Sequence, residues 1–379
     1  AGGIATYFTI GAAVGYRLQW LMLAAMPMLI VVQEMAARVA VTAKKGLGSA
    51  IREKYGAKIA LGVILALFIA NVMVVAANIG GMAVSLELLT GISSRIFIIP
   101  CVLLIFWLIL KGNYKKIEKI LLFLTLGFFS YIVIGLIINP PWAEIIRSTF
   151  IPTIELKLSF LMLCVGLLGA TISPYIYYYG AGAEVEKKRS LKEAKFDAYL
   201  GATFSTTIAY FIILVTATLL FTQGIHNIET AKDAALAMKP LAGEYAFILF
   251  AIGLFSASMI AASVLPLSTA YAISETFGLE SGVGKREAHT FTLIFSITLA
   301  MGALIMLLGF DPIRMMFLSM IVSGVVAPFV IYFLIKICND KSYMGEYTNK
   351  TWSNFVGWTT VTVMSAFVAL MFGGILLGL

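Results

Sequence analysis

Gly166-Leu167-Leu168-Gly169-Ala170-Thr171-Ile172-Ser173-Pro174-Tyr175, continued by Ile176-Tyr177-Tyr178-Tyr179-Gly180, is the stretch on which the fold turns. It sits inside an apolar run, residues 158–183, that is long enough to cross a bilayer. Pro174 has no N–H and disrupts the helix at the carbonyl one turn earlier, near Ala170. Carbonyls freed in hydrocarbon are tolerated only where protein buries them or a polar cavity receives them. A second irregular stretch stands at the start, where Ala1-Gly2-Gly3 runs into Ile4-Ala5-Thr6-Tyr7. Adjacent glycines release the backbone from helical geometry. Interrupted helices at corresponding places in two halves of a chain mark the substrate site of transporters built from inverted repeats. A proline in a membrane helix is often only a kink, and Pro100, Pro266 and Pro328 read as kinks.

The rest of the chain fits a membrane solvent. Of 379 residues, 61% are hydrophobic and 12% charged. Mean hydropathy is +0.98. Soluble domains carry about 25% charged residues. The composition excludes a soluble enzyme, a secreted disulfide scaffold and a disordered chain. Cys101, Cys164 and Cys338 are widely spaced and read as thiols without a metal or a disulfide. Windows of about 20 apolar residues give spans at 18–42, 58–90, 95–111, 117–139, 158–183, 198–223, 243–274, 288–309, 313–337 and 354–378. The short run 3–15 reads as the second half of a further span, which brings the total to eleven.

The cations test this map. With loops assigned alternately to two sides, the loops at 43–58, 111–119, 184–197, 275–287 and 336–351 hold 19 Lys and Arg. The opposite side holds 7, and Arg38 lies within a span. An excess of this kind marks the cytoplasmic face. The expected protein is therefore multi-pass, in a plasma or inner membrane, with a cytoplasmic native N-terminus and Leu379 on the far side. The net charge of +8 belongs to these loops and does not imply nucleic acid.

Gly169-Ala170-Thr171-Ile172-Ser173-Pro174-Tyr175 resembles the sixth-helix motif of the Nramp family of divalent-metal transporters, which reads Gly-Ala-Thr-Val-Met-Pro-His in most members. Ala36-Ala37-Arg38 resembles the family's second helix. Met344-Gly345-Glu346, with Asn349 and Trp352, resembles its last cytoplasmic loop. Ala1-Gly2-Gly3-Ile4-Ala5-Thr6 is similar to the stretch that begins Asp-Pro-Gly-Asn in the family. The resemblance implies an all-α integral membrane protein with a LeuT-like fold. Two inverted five-helix repeats (1–139 and 158–337) and an eleventh helix (352–379) are expected, with the first and sixth helices broken. It implies a transporter, not an enzyme, probed by a divalent ion as substrate, with no cofactor and as a monomer in the bilayer.

The departures from the family refine that expectation. The resemblance places the metal among Ala1, Gly3, Ala170 and Ser173, with an Asp expected just before Ala1. Gly3 stands where the family has a ligating Asn, and Ser173 where it has Met. Losing the thioether and shrinking two side chains points to a wide, oxygen-lined site. Such a site suits Mg²⁺, which gives up water reluctantly. This is the character of the Nramp-related magnesium transporter branch, with Mn²⁺ as a second substrate. Gly2, Thr171, Pro174, Tyr175 and Asn78 are expected to line the site. The family's proton groups correspond to Val75, Asn78, Tyr175 and Gly180, none of which is acidic or a histidine. Transport without proton coupling is therefore expected. The rival readings are a proton-coupled manganese or iron carrier and a LeuT-like carrier of small organic solutes. Neither HExxH nor GxSxG occurs, which removes the intramembrane hydrolases. Glu34 and Arg38, four apart, read as an intrahelical pair. Glu184 and Glu186 read as a solvated helix end, and Asn71 as an interhelical hydrogen-bonding group.

Overall fold

In hydrocarbon the backbone of an apolar run must satisfy itself, and a helix does so within one segment. The elements follow that rule, with no strand among the described residues. The computed structural model describes residues 2–110, 129–187, 190–226, 245–279 and 289–378. In chain order these contain α1 (Gly2–Val14), α2 (Gln19–Ala43), α3 (Leu47–Tyr55), α4 (Ala57–Thr90) and α5 (Ser94–Leu110). Next come α6 (Phe129–Ile137), α7 (Trp142–Phe150), α8 (Leu158–Thr171), α9 (Pro174–Lys187) and α10 (Leu191–Leu219). The chain ends with α11 (Tyr245–Phe277), α12 (His289–Leu307), α13 (Pro312–Cys338), α14 (Lys341–Met344) and α15 (Thr351–Leu377).

Among the described residues, eight spans are long and apolar enough to cross a membrane, and Gly2–Val14 and Ser94–Ile109 are shorter apolar helices. The expected span at 117–139 lies largely outside the described residues, of which α6 is the described part. The 158–183 run is broken as its proline requires. Helix α8 ends at Thr171, Ile172 and Ser173 are non-helical, and α9 restarts at Pro174. Proline at the first helical position costs nothing, because that N–H has no acceptor in any case. Pro27, Pro100, Pro266 and Pro328 sit inside continuous helices.

Three expectations need correction. Gly2 and Gly3 form the first turn of α1, and Thr6 Oγ1 donates to the Gly2 carbonyl at 2.8 Å. The glycines are thus helical where irregular backbone was expected, and the run 3–15 is a helix as expected. The loops at 43–58 and 140–157 also contain helices, α3 and α7. Helix α10 starts seven residues before the expected span, because Ser190 and Glu193 form a capping box.

Helix α4 is the central post, packed against α11, α12 and α13. Helix α13 also packs on α8, α1 on α8, α10 and α13, and α9 on α2 and α11. The α8–α13 contact is backbone against backbone. A Cβ on Gly169 would stand 2.0 Å from the Met320 carbonyl oxygen, and one on Gly324 would stand 2.4 Å from the Val165 carbonyl oxygen. Small residues allow helices this close in membranes, where packing and not hydrophobicity drives association.

Contacts at the two ends agree with the alternation for four of the five basic loops, the 111–119 loop lying outside the described residues. At one end Lys54 pairs with Asp340 at 2.6 Å, Lys195 reaches Glu34 at 2.9 Å, and Arg52 donates to the Thr276 carbonyl at 2.6 Å. These join the 43–58, 184–197, 275–287 and 336–351 regions, so we name this the basic end. At the opposite end Arg17 pairs with Glu155 at 2.5 Å and Trp20 Nε1 donates to the Thr153 carbonyl.

Candidate functional site

Three helix termini meet at mid-depth: the start of α1, the end of α8 and the start of α9. They open on a cavity of about 300 Å³. Gly2, Gly3, Ile4 and Tyr7 of α1 line it, with Ala170 and Thr171 of α8 and Tyr175 and Ile176 of α9. Leu29 and Gln33 of α2, Val74 and Asn78 of α4, Ala261 of α11 and Met320 of α13 complete it, with Phe204, Ser205, Thr206, Ile208, Ala209 and Ile212 of α10. A Cβ on Gly3 would lie 3.8 Å from the Ala170 side chain, so α1 and α8 abut at the break.

The polar atoms of the wall are neutral oxygens and amides. In a continuous helix the Ala170 carbonyl would accept from residue 174, which is proline; its helical donor is therefore missing. Asn78 Nδ2 donates to the Val74 carbonyl at 2.7 Å, while Asn78 Oδ1 is buried without a partner. Such an acceptor has a cost unless the cavity supplies a donor or a cation. Thr171 Oγ1 donates to the Leu167 carbonyl at 2.8 Å, so the Tyr7 hydroxyl, 3.1 Å away, donates to Thr171. The negative end of the α8 dipole and the freed carbonyl favour a cation. The positive ends of α1 and α9 favour an anion beside it. No cluster of three or more His, Cys, Asp or Glu side chains occurs among the described residues.

The structure brings Gly2, Gly3, Ala170, Thr171, Tyr175 and Asn78 together as expected from sequence, but not every candidate joins them. Ser173 is fully buried, and its hydroxyl donates to the Gly169 carbonyl. It satisfies the end of α8 instead of facing the cavity. Pro174 is buried at the start of α9, off the wall. Val75 packs against Gly302 of α12, and Gly180 faces open space on α9. Ala1, and the side chains of Glu184 and Glu186, lie outside the described residues. His226 Nδ1 lies 3.4 Å from the Ala12 carbonyl, beyond the middle of α1, and His289 opens α12.

Sequence reasoning passed over Gln33, Tyr7, Ser205 and Thr206. Gln33 had a signal, as a polar residue after the apolar run from Met28 to Val32. The hydroxyls had none: Ser205 and Thr206 both donate to the Ala202 carbonyl of their own helix, as in any membrane helix.

A buried network lies just toward the basic end from Gln33. Arg38 grips Glu34 in bidentate fashion, Nε to Oε1 at 3.0 Å and Nη2 to Oε2 at 3.1 Å. The same guanidinium donates to the Tyr347 carbonyl and to Asn349 Oδ1, the latter at 2.6 Å. Lys195 of α10 shares Glu34. The pair expected from sequence is thus a knot that joins α2, α10 and the 345–350 loop. Asn71 Nδ2 donates to Thr269 Oγ1 at 2.9 Å and links α4 to α11.

Comparison with known proteins agrees with this geometry. The manganese transporter of Eremococcus coleocola, solved as a crystal structure, matches with a TM-score of 0.75 at 16% identity, over 99% of this chain and 84% of that one. MhsT, solved with L-phenylalanine, matches with a TM-score of 0.58 at 14% identity over 98% of this chain and 97% of its own. These likenesses establish the LeuT-like fold. Among sequence relatives, the divalent metal cation transporter MntH of Agrobacterium fabrum is 26% identical over 96% of this chain and 82% of its own length. The protein of the same name in Klebsiella pneumoniae is 23% identical over 100% of this chain and 91% of its own. The profile of the natural resistance-associated macrophage protein-like family matches residues 1–373. The fold, the broken helix and this match together make the chain a member of the Nramp family.

Proposed function

We propose that the protein carries divalent cations across the membrane, with Mg²⁺ as the main substrate and Mn²⁺ also carried, as a partly hydrated ion and without proton coupling. The reading rests first on the cavity wall, where Ala170 and Asn78 carry hard oxygens and no described lining residue is acidic or a histidine. Hard oxygen donors suit Mg²⁺ and Mn²⁺. Six waters at ~30 Å³ each take roughly 180 Å³, which a cavity of about 300 Å³ admits. Residues 1–139 and 158–337 act as the two repeats between which access alternates, and the basic end is cytoplasmic.

Proton movement through a membrane needs groups that take up and release protons. Val75, Asn78, Tyr175 and Gly180 are not such groups near neutral pH. The membrane potential then drives uptake, at ~4.6 kcal/mol for a divalent ion at 100 mV, twice the single-charge value. The relatives' names favour the second reading, a proton-coupled manganese carrier. Reconstituted vesicles loaded with a Mg²⁺ dye and a pH dye separate the two. The expected result is Mg²⁺ influx that rises with inside-negative potential at constant internal pH. Acidification in proportion to influx overturns the uncoupled mechanism, and absence of any divalent influx overturns the transport reading.

A further inference from the structure

At the basic end, far from the ion cavity, an open groove of about 630 Å³ follows the start of α15. Its described lining runs from Asn349, just before the helix, to Val363, three turns into it. A 27-residue helix is about 40 Å long, against about 30 Å of hydrocarbon. The first turn of α15 therefore stands at headgroup depth, and the rest of the groove enters the hydrocarbon. The groove crosses the level at which phospholipid headgroups meet their chains. Phe355 on its wall is 63% exposed, and the ring of Trp352 stacks on it at 5.9 Å. Deeper in, Trp358 makes an edge contact with Tyr332 of α13, ring centroids 5.7 Å apart. Rings that are apolar with one polar tip collect at this depth of a bilayer.

The groove is also polar. Thr360, on the buried side of α15, donates to the Val356 carbonyl at 2.8 Å. The Thr351 and Thr359 hydroxyls, on the groove side, have no partner among the described residues. A hydroxyl facing hydrocarbon has a cost that an acceptor oxygen removes. The amides at the mouth are already engaged. Arg38 donates to Asn349 Oδ1 at 2.6 Å, Asn349 Nδ2 donates to Asn354 Oδ1 at 3.0 Å, and Asn354 Nδ2 donates to Asn339 Oδ1 at 2.8 Å. They hold the mouth in shape and leave recognition to hydroxyls and cations. Lys350 stands between Asn349 and Thr351 and is exposed, as is Lys336, one turn before Asn339. Of the acids nearby, Asp340 is paired with Lys54 at 2.6 Å and Glu346 is exposed. The rim is therefore net positive, and cations beside a membrane span attract anionic headgroups.

We propose that this groove holds an anionic phospholipid. Lys350, Lys336 and Thr351 take the headgroup. Thr359, eight residues and about 12 Å further along the helix, donates to an oxygen of the glycerol esters. Phe355 and Trp358 meet the upper chains. Charge at the rim selects the headgroup, and the hydroxyl and rings hold what all phospholipids share.

The test uses the full chain purified in mild detergent, with phosphatidylglycerol and phosphatidylcholine of identical chains added at equal concentration. Native mass spectrometry counts the lipid retained. Wild type is expected to retain phosphatidylglycerol at least tenfold better than phosphatidylcholine. Lys336→Gln combined with Lys350→Gln is expected to bring the two lipids within twofold of each other. Thr359→Val, which keeps the side-chain shape, is expected to weaken retention of both at least threefold while melting with wild type in lipid-free detergent. Wild type that retains neither lipid, or both equally, overturns the proposal, as does a preference for phosphatidylglycerol that survives in the lysine variant. A second copy of the chain is the rival occupant. A disulfide-linked dimer formed in membranes by Phe355→Cys and not by wild type also overturns the proposal, because the partner then covers the groove. None of these readouts depends on ion movement, so the transport reading stands or falls apart from them.

Discussion

Asn78 lines the cavity as sequence suggests, and Ser173 does not. Ser173, at the motif position of a metal ligand, spends its hydroxyl on the Gly169 carbonyl. Asn78, read both as site lining and as a lost proton group, lines the cavity and has an Oδ1 that is buried without a hydrogen-bond partner. An unpaired buried acceptor has a cost of about 1–3 kcal/mol, and its apolar replacement removes that cost. Asn78→Leu is therefore expected to melt at or above the wild-type temperature while Mg²⁺ uptake falls at least tenfold. A variant that loses stability and uptake together would mark Asn78 as structural. The reason sequence misjudged Ser173 is physical. A hydroxyl can turn back on its own helix, as Ser173, Ser205, Thr206 and Thr216 all do, and nothing in the letters tells which do. A carboxamide has a donor and an acceptor at a fixed distance, and only the fold shows which one is left over.

Among the elements, the break between α8 and α9 was fully legible, because proline removes a hydrogen bond wherever it stands. Pro174→Ala restores an N–H able to reach the Ala170 carbonyl. We expect the variant to fold, since alanine favours the helix, and to lose most Mg²⁺ uptake, since the carbonyl regains its helical partner. Uptake at the wild-type rate would separate the carbonyl from ion binding. Helices α3 and α7 were not legible as helices. Each is nine residues long and shorter than any membrane span, and each lies where charge and proline suggest a loop. Their contacts explain them: Ser49 Oγ donates to the Glu275 carbonyl at 2.8 Å, and Thr149 shares a 2.7 Å hydrogen bond with Tyr210. Tertiary packing stabilises short helices that would not hold in isolation. The helix expected at 3–15 is α1, with Gly2 and Gly3 in its first turn. Two glycines permit a break but do not impose one, and here packing against α8 and α13 holds them in a helix.

For the molecule as a whole, the alternation of basic loops found the two ends, and the ion pairs between distant segments agree with it. Asp340 illustrates how the basic end is held. The hydrogen bond from Lys54 pulls its carboxyl down to about 2 from 3.8, with Ser342 adding to the shift. A depressed carboxyl contributes its stability above the unfolded value and loses it as pH falls toward the folded one. The difference in melting temperature between wild type and Asp340→Asn is therefore expected to be constant from about pH 5 to about pH 8, and to close only below the ordinary carboxylate range. A difference that changes near neutral pH would point to another group. The pair is partly exposed and its effect is modest. The broken span has a consequence for the whole as well. Its α8 half is seated on α13 with no side chain between them at Gly169 and Gly324. Its α9 half is tethered elsewhere, by Ser268 Oγ donating to the Tyr175 carbonyl at 3.1 Å and by the rings of Tyr179 and Tyr271, 6.3 Å apart. Ile172 and Ser173 are therefore a wrist between two separately clamped forearms, and any swing of one against the other within this span must pass through the torsions of those two residues.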